Sequence, residues 1–171
     1  GEGKFINLDE HFNADEIAVI KQLNLMSVKP VIYCANVSEF DLTQRELGKL
    51  AQVNGVNSEV KALGKMMETH HDESYKDLTG LSKTRNISVP TAITEDGQKE
   101  YEDLKKAASK DFDRDYLREV LKDHKNAIDE FSKEAQKTAD VEVKAFLERK
   151  VTSLTEHHKA AEALAIKLNI K

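Results

Sequence analysis

Residues 57–71 read Asn-Ser-Glu-Val-Lys-Ala-Leu-Gly-Lys-Met-Met-Glu-Thr-His-His, and residues 140–158 read Asp-Val-Glu-Val-Lys-Ala-Phe-Leu-Glu-Arg-Lys-Val-Thr-Ser-Leu-Thr-Glu-His-His. Each opens on residues suited to cap a helix, Asn57 or Ser58 in one and Asp140 in the other. Each then carries Glu-Val-Lys-Ala and ends on a His-His pair. Val60 precedes His70 by ten residues and Val143 precedes His157 by fourteen, a difference of four, or about one helical turn. The two segments therefore present like faces one turn out of step. Two helical hairpins of similar pattern are what a bundle built from a duplicated helix pair shows. Capping and periodicity by themselves also enforce part of such a likeness.

Working outward, apolar residues recur three or four apart over four long stretches. The first spans 39–53 with Leu42, Leu47, Leu50 and Val53, and Asn54-Gly55 stops it. The second spans 58–85, its stripe running Val60, Leu63, Met67, His70, Ser74, Leu78, Leu81. Asn86 and Pro90 bracket its exit, and Thr94-Glu95 opens a short amphipathic helix. The third long helix spans 111–137 with Phe112, Leu117, Leu121, Ile128 and Phe131. The fourth spans 140–168 with Val143, Leu147, Leu154, Ala161 and Leu164. This pattern predicts an all-α, ferritin-like antiparallel four-helix bundle over 39–171, with the short helix between the second and third long ones. Residues 1–38 read as a separate N-terminal segment. There Asn13 caps a short helix, Lys29-Pro30 ends it, and Val31-Ile32-Tyr33-Cys34 reads as an extended, strand-forming run.

The composition narrows the possible functions. With 171 residues, the chain can bury a core without disulfides. A formal net charge of −5, with acidic and basic residues interspersed, leaves no basic face for nucleic acid or an anionic membrane. No apolar run approaches the roughly 20 residues of a transmembrane helix. Cys34 is the single cysteine, which excludes an internal disulfide and a thiolate zinc site. No phosphate-binding glycine loop and no nucleophile elbow is present. Nothing in the sequence assembles a catalytic constellation.

Three histidines fall at interior positions. His124 lies 13 residues before the turn near 137–140 and His157 lies 17 after it. In an antiparallel hairpin they differ by roughly 6 Å in height, within side-chain reach. His70 joins the same layer if its helix packs conventionally. One reading is a transition-metal or small-ligand site of His70, His124 and His157, with a carboxylate from Glu46 or Glu68 and with Gln44 as a further polar group. The other is a buried polar layer that fixes helix register. A di-iron centre is disfavoured, because Glu-x-x-His occurs once, at Glu68–His71, and the second copy is missing.

Residues 42–168 resemble the bacterial domain of unknown function 4142 family. The resemblance is carried by Glu46-Leu47-Gly48-Lys49-Leu50-Ala51, Glu59 to Ala62, Met66 to His70, Ile87 to Pro90, Phe112 to Leu117, His124 to Ala127, and Leu154 to His157. It implies a ferritin-like fold and export to the periplasm or outer membrane with a signal peptide removed. It also implies recurrent histidines at His70, His124 and His157, and a glutamate where this chain has Gln44. Leu23 to Glu39, ending Asn36-Val37-Ser38-Glu39, is similar to a segment of Obg-like ATPases in which a strand leads into a base-recognition motif. The phosphate loop of that family is absent. Three functions are thus expected. They are a non-catalytic binding, structural or stress-related envelope protein, a metal-storing or sequestering bundle, and a fusion or misjoined chain with an inert piece of an Obg-like ATPase.

Overall fold

The computed structural model describes residues 29–170. The helix expected from Asn13 lies outside them. Five helices follow in order: α1 Lys29–Asn54, α2 Ser58–Thr84, α3 Glu95–Lys106, α4 Ser109–Lys137 and α5 Val141–Lys167. No strand occurs among the described residues.

The strand-like run Val31–Cys34 is helical and belongs to α1. Pro30 is the second residue of that helix, in the first turn, where the missing N–H is not needed. Cys34, which ends that run, and Val37, three residues further on, are each 1 % exposed and face the core. α1 continues without interruption across residues 38 and 39.

Capping sets most of the other boundaries. Asn57 Oδ1 accepts from the Glu59 N–H, Thr94 Oγ1 from Gly97, and Asp140 Oδ1 from Glu142 and Val143. Arg85, the C-cap of α2, donates to the Asp140 carboxylate through Nε and Nη2 and also reaches Glu142. That pins the end of α2 to the start of α5. At the opposite end the Val56 and Asn57 N–H groups donate to Asp113 near the start of α4, and Lys167 pairs with Glu59.

These ties fix the helix directions. If α1 runs up, α2 runs down, α4 runs down and α5 runs up. Since α2 and α4 are parallel, residues 85–108 must cross the length of the bundle, and α3 lies in that crossover. One long crossover between two antiparallel hairpins is the ferritin-like arrangement.

Apolar side chains collect in two clusters. One, toward the α1–α2 turn, includes Leu47, Leu50, Met67, Leu117, Val120 and Ala161. The other includes Cys34, Val37, Leu78, Phe131, Phe146 and Leu147. Burying each such leucine or phenylalanine contributes about 1.5–3 kcal/mol, so the stability of the bundle resides in these two clusters. Val53, expected on the first stripe, is 77 % exposed, and Ala51 takes the interior position. Between the clusters each of the four long helices contributes polar residues: Asp41 and Gln44 from α1, His71 from α2, His124 from α4, Lys150 and His157 from α5. All six are buried.

Candidate metal centre

The polar layer holds three imidazoles in a near-equilateral triangle. Ring centroids are 5.4 Å apart for His71–His124, 5.2 Å for His71–His157 and 5.4 Å for His124–His157. Each ring offers one nitrogen, and those three atoms lie within 4.8 Å of one another.

The outward nitrogens define the tautomers. His124 Nδ1 donates to the Val120 carbonyl at 2.9 Å, which leaves Nε2 with a bare lone pair. His71 Nδ1 donates to Asp41 Oδ1 at 2.7 Å, so its Nε2 is bare as well. These two Nε2 atoms face each other at 3.3 Å. Two acceptors with no proton between them repel; a cation or proton between them removes the conflict. Two imidazoles bound tetrahedrally to one ion at about 2.0–2.1 Å have nitrogens about 3.3 Å apart. His157 completes the set. Its Nε2 lies 2.8 Å from His70 Nδ1 and 3.4 Å from Ser153 Oγ, and its Nδ1 is buried with no hydrogen-bond partner. With Nε2–H donated to His70, His157 Nδ1 also carries a bare lone pair.

A proton is poorly placed to fill the gap. Burial drives His71 and His124 well below the ordinary histidine range, and the neighbouring imidazoles and Lys150 add to the effect. His157 is lowered to about 4, by burial first and then by His70 and Lys150. At neutral pH the layer therefore holds three neutral imidazoles, the ligand form.

Asp41 and Lys150 complete the layer. Lys150 Nζ pairs with Asp41 Oδ1 and donates to Ser74 Oγ at 3.0 Å. Burial raises the Asp41 carboxyl and lowers the Lys150 ammonium, and each counters the shift of the other by attraction. The pair sits on the Nδ1 side of His71, away from its bare Nε2. Phe40 closes one wall, its ring edge-on to His71 and His124 at 5.4 and 5.5 Å.

The structure brings His124 and His157 together as the hairpin register predicts. His70 does not enter the layer. It is exposed, stacked on His157 at 5.1 Å, and His71 takes the interior position. Both three- and four-residue steps from Met67 are helical, and the buried set on α2 follows the four-step, Met67 to His71 and on to Leu78 and Ser82. Glu46 is not brought to the histidines; Arg45 and Lys49 hold its carboxylate at 3.1 and 2.8 Å. Glu68 is likewise held by Gln52 and Lys65. Gln44 is buried but hydrogen-bonds Asp123. The sequence pattern did not single out Asp41 or Lys150. The available signal was their register, Asp41 between Val37 and Leu47 and Lys150 between Leu147 and Leu154 on buried stripes.

No curated protein and no solved structure matches the chain significantly. The likeness of residues 23–39 to Obg-like ATPases is not shown by these comparisons, and Asn36 to Glu39 lie within α1. One family model matches residues 24–164, a range that takes in most of that segment as well as the three buried histidines. The chain belongs to the family described as Domain of unknown function (DUF4142).

Proposed function

We propose that this protein binds one transition-metal ion at the centre of the bundle through His71, His124 and His157, and that it stores or sequesters that metal in the bacterial cell envelope. The observation that carries the reading is the convergence of three imidazole nitrogens whose partners on the far side of each ring are already satisfied. Metal-ligating histidines characteristically use the second ring nitrogen in this way, on a carboxylate, a carbonyl or a polar neighbour. Here those partners are Asp41, the Val120 carbonyl and His70. An all-imidazole set without thiolate suits Zn²⁺, Cu²⁺ or Ni²⁺ and leaves one coordination position open. The envelope location rests on the family resemblance alone.

Elemental mass spectrometry on protein purified without chelators or an affinity tag tests this directly. Near-stoichiometric metal is expected, and its loss in a His71→Ala/His124→Ala/His157→Ala variant. Equal metal in both proteins, or none after incubation with Zn²⁺, Cu²⁺ and Ni²⁺ in turn, overturns the reading. The buried Asp41–Lys150 pair favours a second reading, a non-catalytic structural or partner-binding bundle whose polar layer fixes helix register.

A further inference from the structure

A second group of ligand-type side chains lies outside the histidine layer, between α3 and α4. Glu100 of α3 and Glu119 and Asp123 of α4 each bring a carboxylate oxygen to within 4.8 Å of the others. Two consecutive helices thus converge three acidic groups. Lys122 Nζ pairs with Glu119 and stands 3.7 Å from Asp123 Oδ1, on a side chain that is mostly exposed. Glu100 Oε1 is buried and has no hydrogen-bond partner.

A fourth side chain points into this group from α1. Gln44 is 1 % exposed. Its Nε2 donates to Asp123 Oδ2 at 3.0 Å, and its Oε1 is buried without a partner. A buried amide oxygen left unpaired is costly. With the amide turned over, that oxygen joins the carboxylates as a fourth oxygen donor. The group also has access to solvent. Gln44, Glu100 and Asp123 line a groove of about 330 Å³ between α1, α3 and α4, and Glu100 and Glu119 line a second one together with Lys99 and Lys122.

We infer that Glu100, Glu119, Asp123 and Gln44 form a second cation site, one for a hard divalent ion of the Mn²⁺, Mg²⁺ or Ca²⁺ class. All-oxygen donor sets of carboxylates, an amide carbonyl and groove water are what such ions take. The ion neutralises the acidic cluster and occupies the unpaired oxygens of Glu100 and Gln44. This site shares no ligand with the histidine layer and does not rest on metal binding there.

Mn²⁺ titration of the full chain, with free ion read by electron paramagnetic resonance, tests the inference. One saturable site is expected. Glu100→Gln and Glu119→Gln, near-isosteric changes, should each weaken it by about tenfold or more. Lys122→Gln removes the competing ammonium and should tighten it. Asp129→Asn, on the same helix but paired with Lys125 and outside the cluster, should leave it unchanged. The His71→Ala/His124→Ala/His157→Ala variant should bind Mn²⁺ as the parent does, which separates this site from the imidazole centre. Absence of saturable Mn²⁺ binding in the parent, undiminished binding in both glutamate variants, or loss of binding in Lys122→Gln would overturn it.

Discussion

His157 shows how one residue connects burial to pH. Its unfolded form takes up a proton near 6.5, whereas the folded form resists protonation until about 4. Acidification between those values therefore favours unfolding, by about 3 kcal/mol for this one group. His71 and His124 act in the same direction. Glu100 acts oppositely: its folded pKa is raised from 4.5 to about 8, so its ionisation destabilises the fold as pH rises through that range. It is partly solvent-exposed, so its effect is the smaller one. Three histidines outweigh one carboxyl, and metal-free protein should be most stable near neutrality and lose stability steeply below about pH 6.5. Urea unfolding at stepped pH, read by circular dichroism, checks this. His157→Gln should flatten the acid limb, and a parent curve level from pH 6.5 to 4 would contradict the buried neutral layer. At this scale the sequence was only partly legible. His124 and His157 could be located from hairpin register. His70 and His71 sit one residue apart, and a stripe that accepts steps of three or four cannot separate them.

Elements were more legible than residues, because helix ends follow local chemistry that is written in the chain. Asn57, Thr94 and Asp140 cap the helices they were expected to cap. The start of α1 was misread for a physical reason. Pro30 punctuates a helix when it falls in the interior but is compatible with one in the first turn, and a buried helix can carry the β-branched residues of a buried strand. Contact between α1 and α2 has its own determinant. A Cβ on Gly48 would lie 2.6 Å from the Gly64 carbonyl oxygen, and one on Gly64 would lie 2.7 Å from that of Gly48. The two backbones meet there without side chains, so an added methyl must push the helices apart. Gly48→Ala and Gly64→Ala should each lower stability by about 1–3 kcal/mol, despite the better helix propensity of alanine. Gly80, also in α2, has nothing within 4 Å of its Cβ position, and Gly80→Ala should raise stability by about 0.5–1 kcal/mol. Chemical denaturation of the three variants decides it; a stabilised Gly64→Ala would show that the helices are not in backbone contact. The close approach also orients α2, and with it the choice of His71 over His70 for the interior.

For the whole molecule, the polar layer is the plane at which the two hairpins meet. His71 comes from the α1–α2 hairpin, and His124 and His157 come from the α4–α5 hairpin. An ion held by all three would cross-link the hairpins between the two apolar clusters and would bind the native state only, since the unfolded chain scatters its ligands. Ligand binding confined to the native state adds about 4 kcal/mol when free metal exceeds its Kd a thousandfold. For a chain of this size that corresponds to a Tm increase of roughly 8–16 °C. Zn²⁺ added to metal-free protein should produce such a rise in a calorimetric scan. The informative variant is His71→Ala. It leaves the His124–His157 pair intact within one hairpin but cuts the link to the other, so most of the Zn²⁺-dependent shift should disappear. Retention of the full shift in His71→Ala would place the ion elsewhere, with the exposed His70 as the first residue to examine. No shift in the parent would leave the three imidazoles as a layer that sets register, with the Asp41–Lys150 pair as its organising contact.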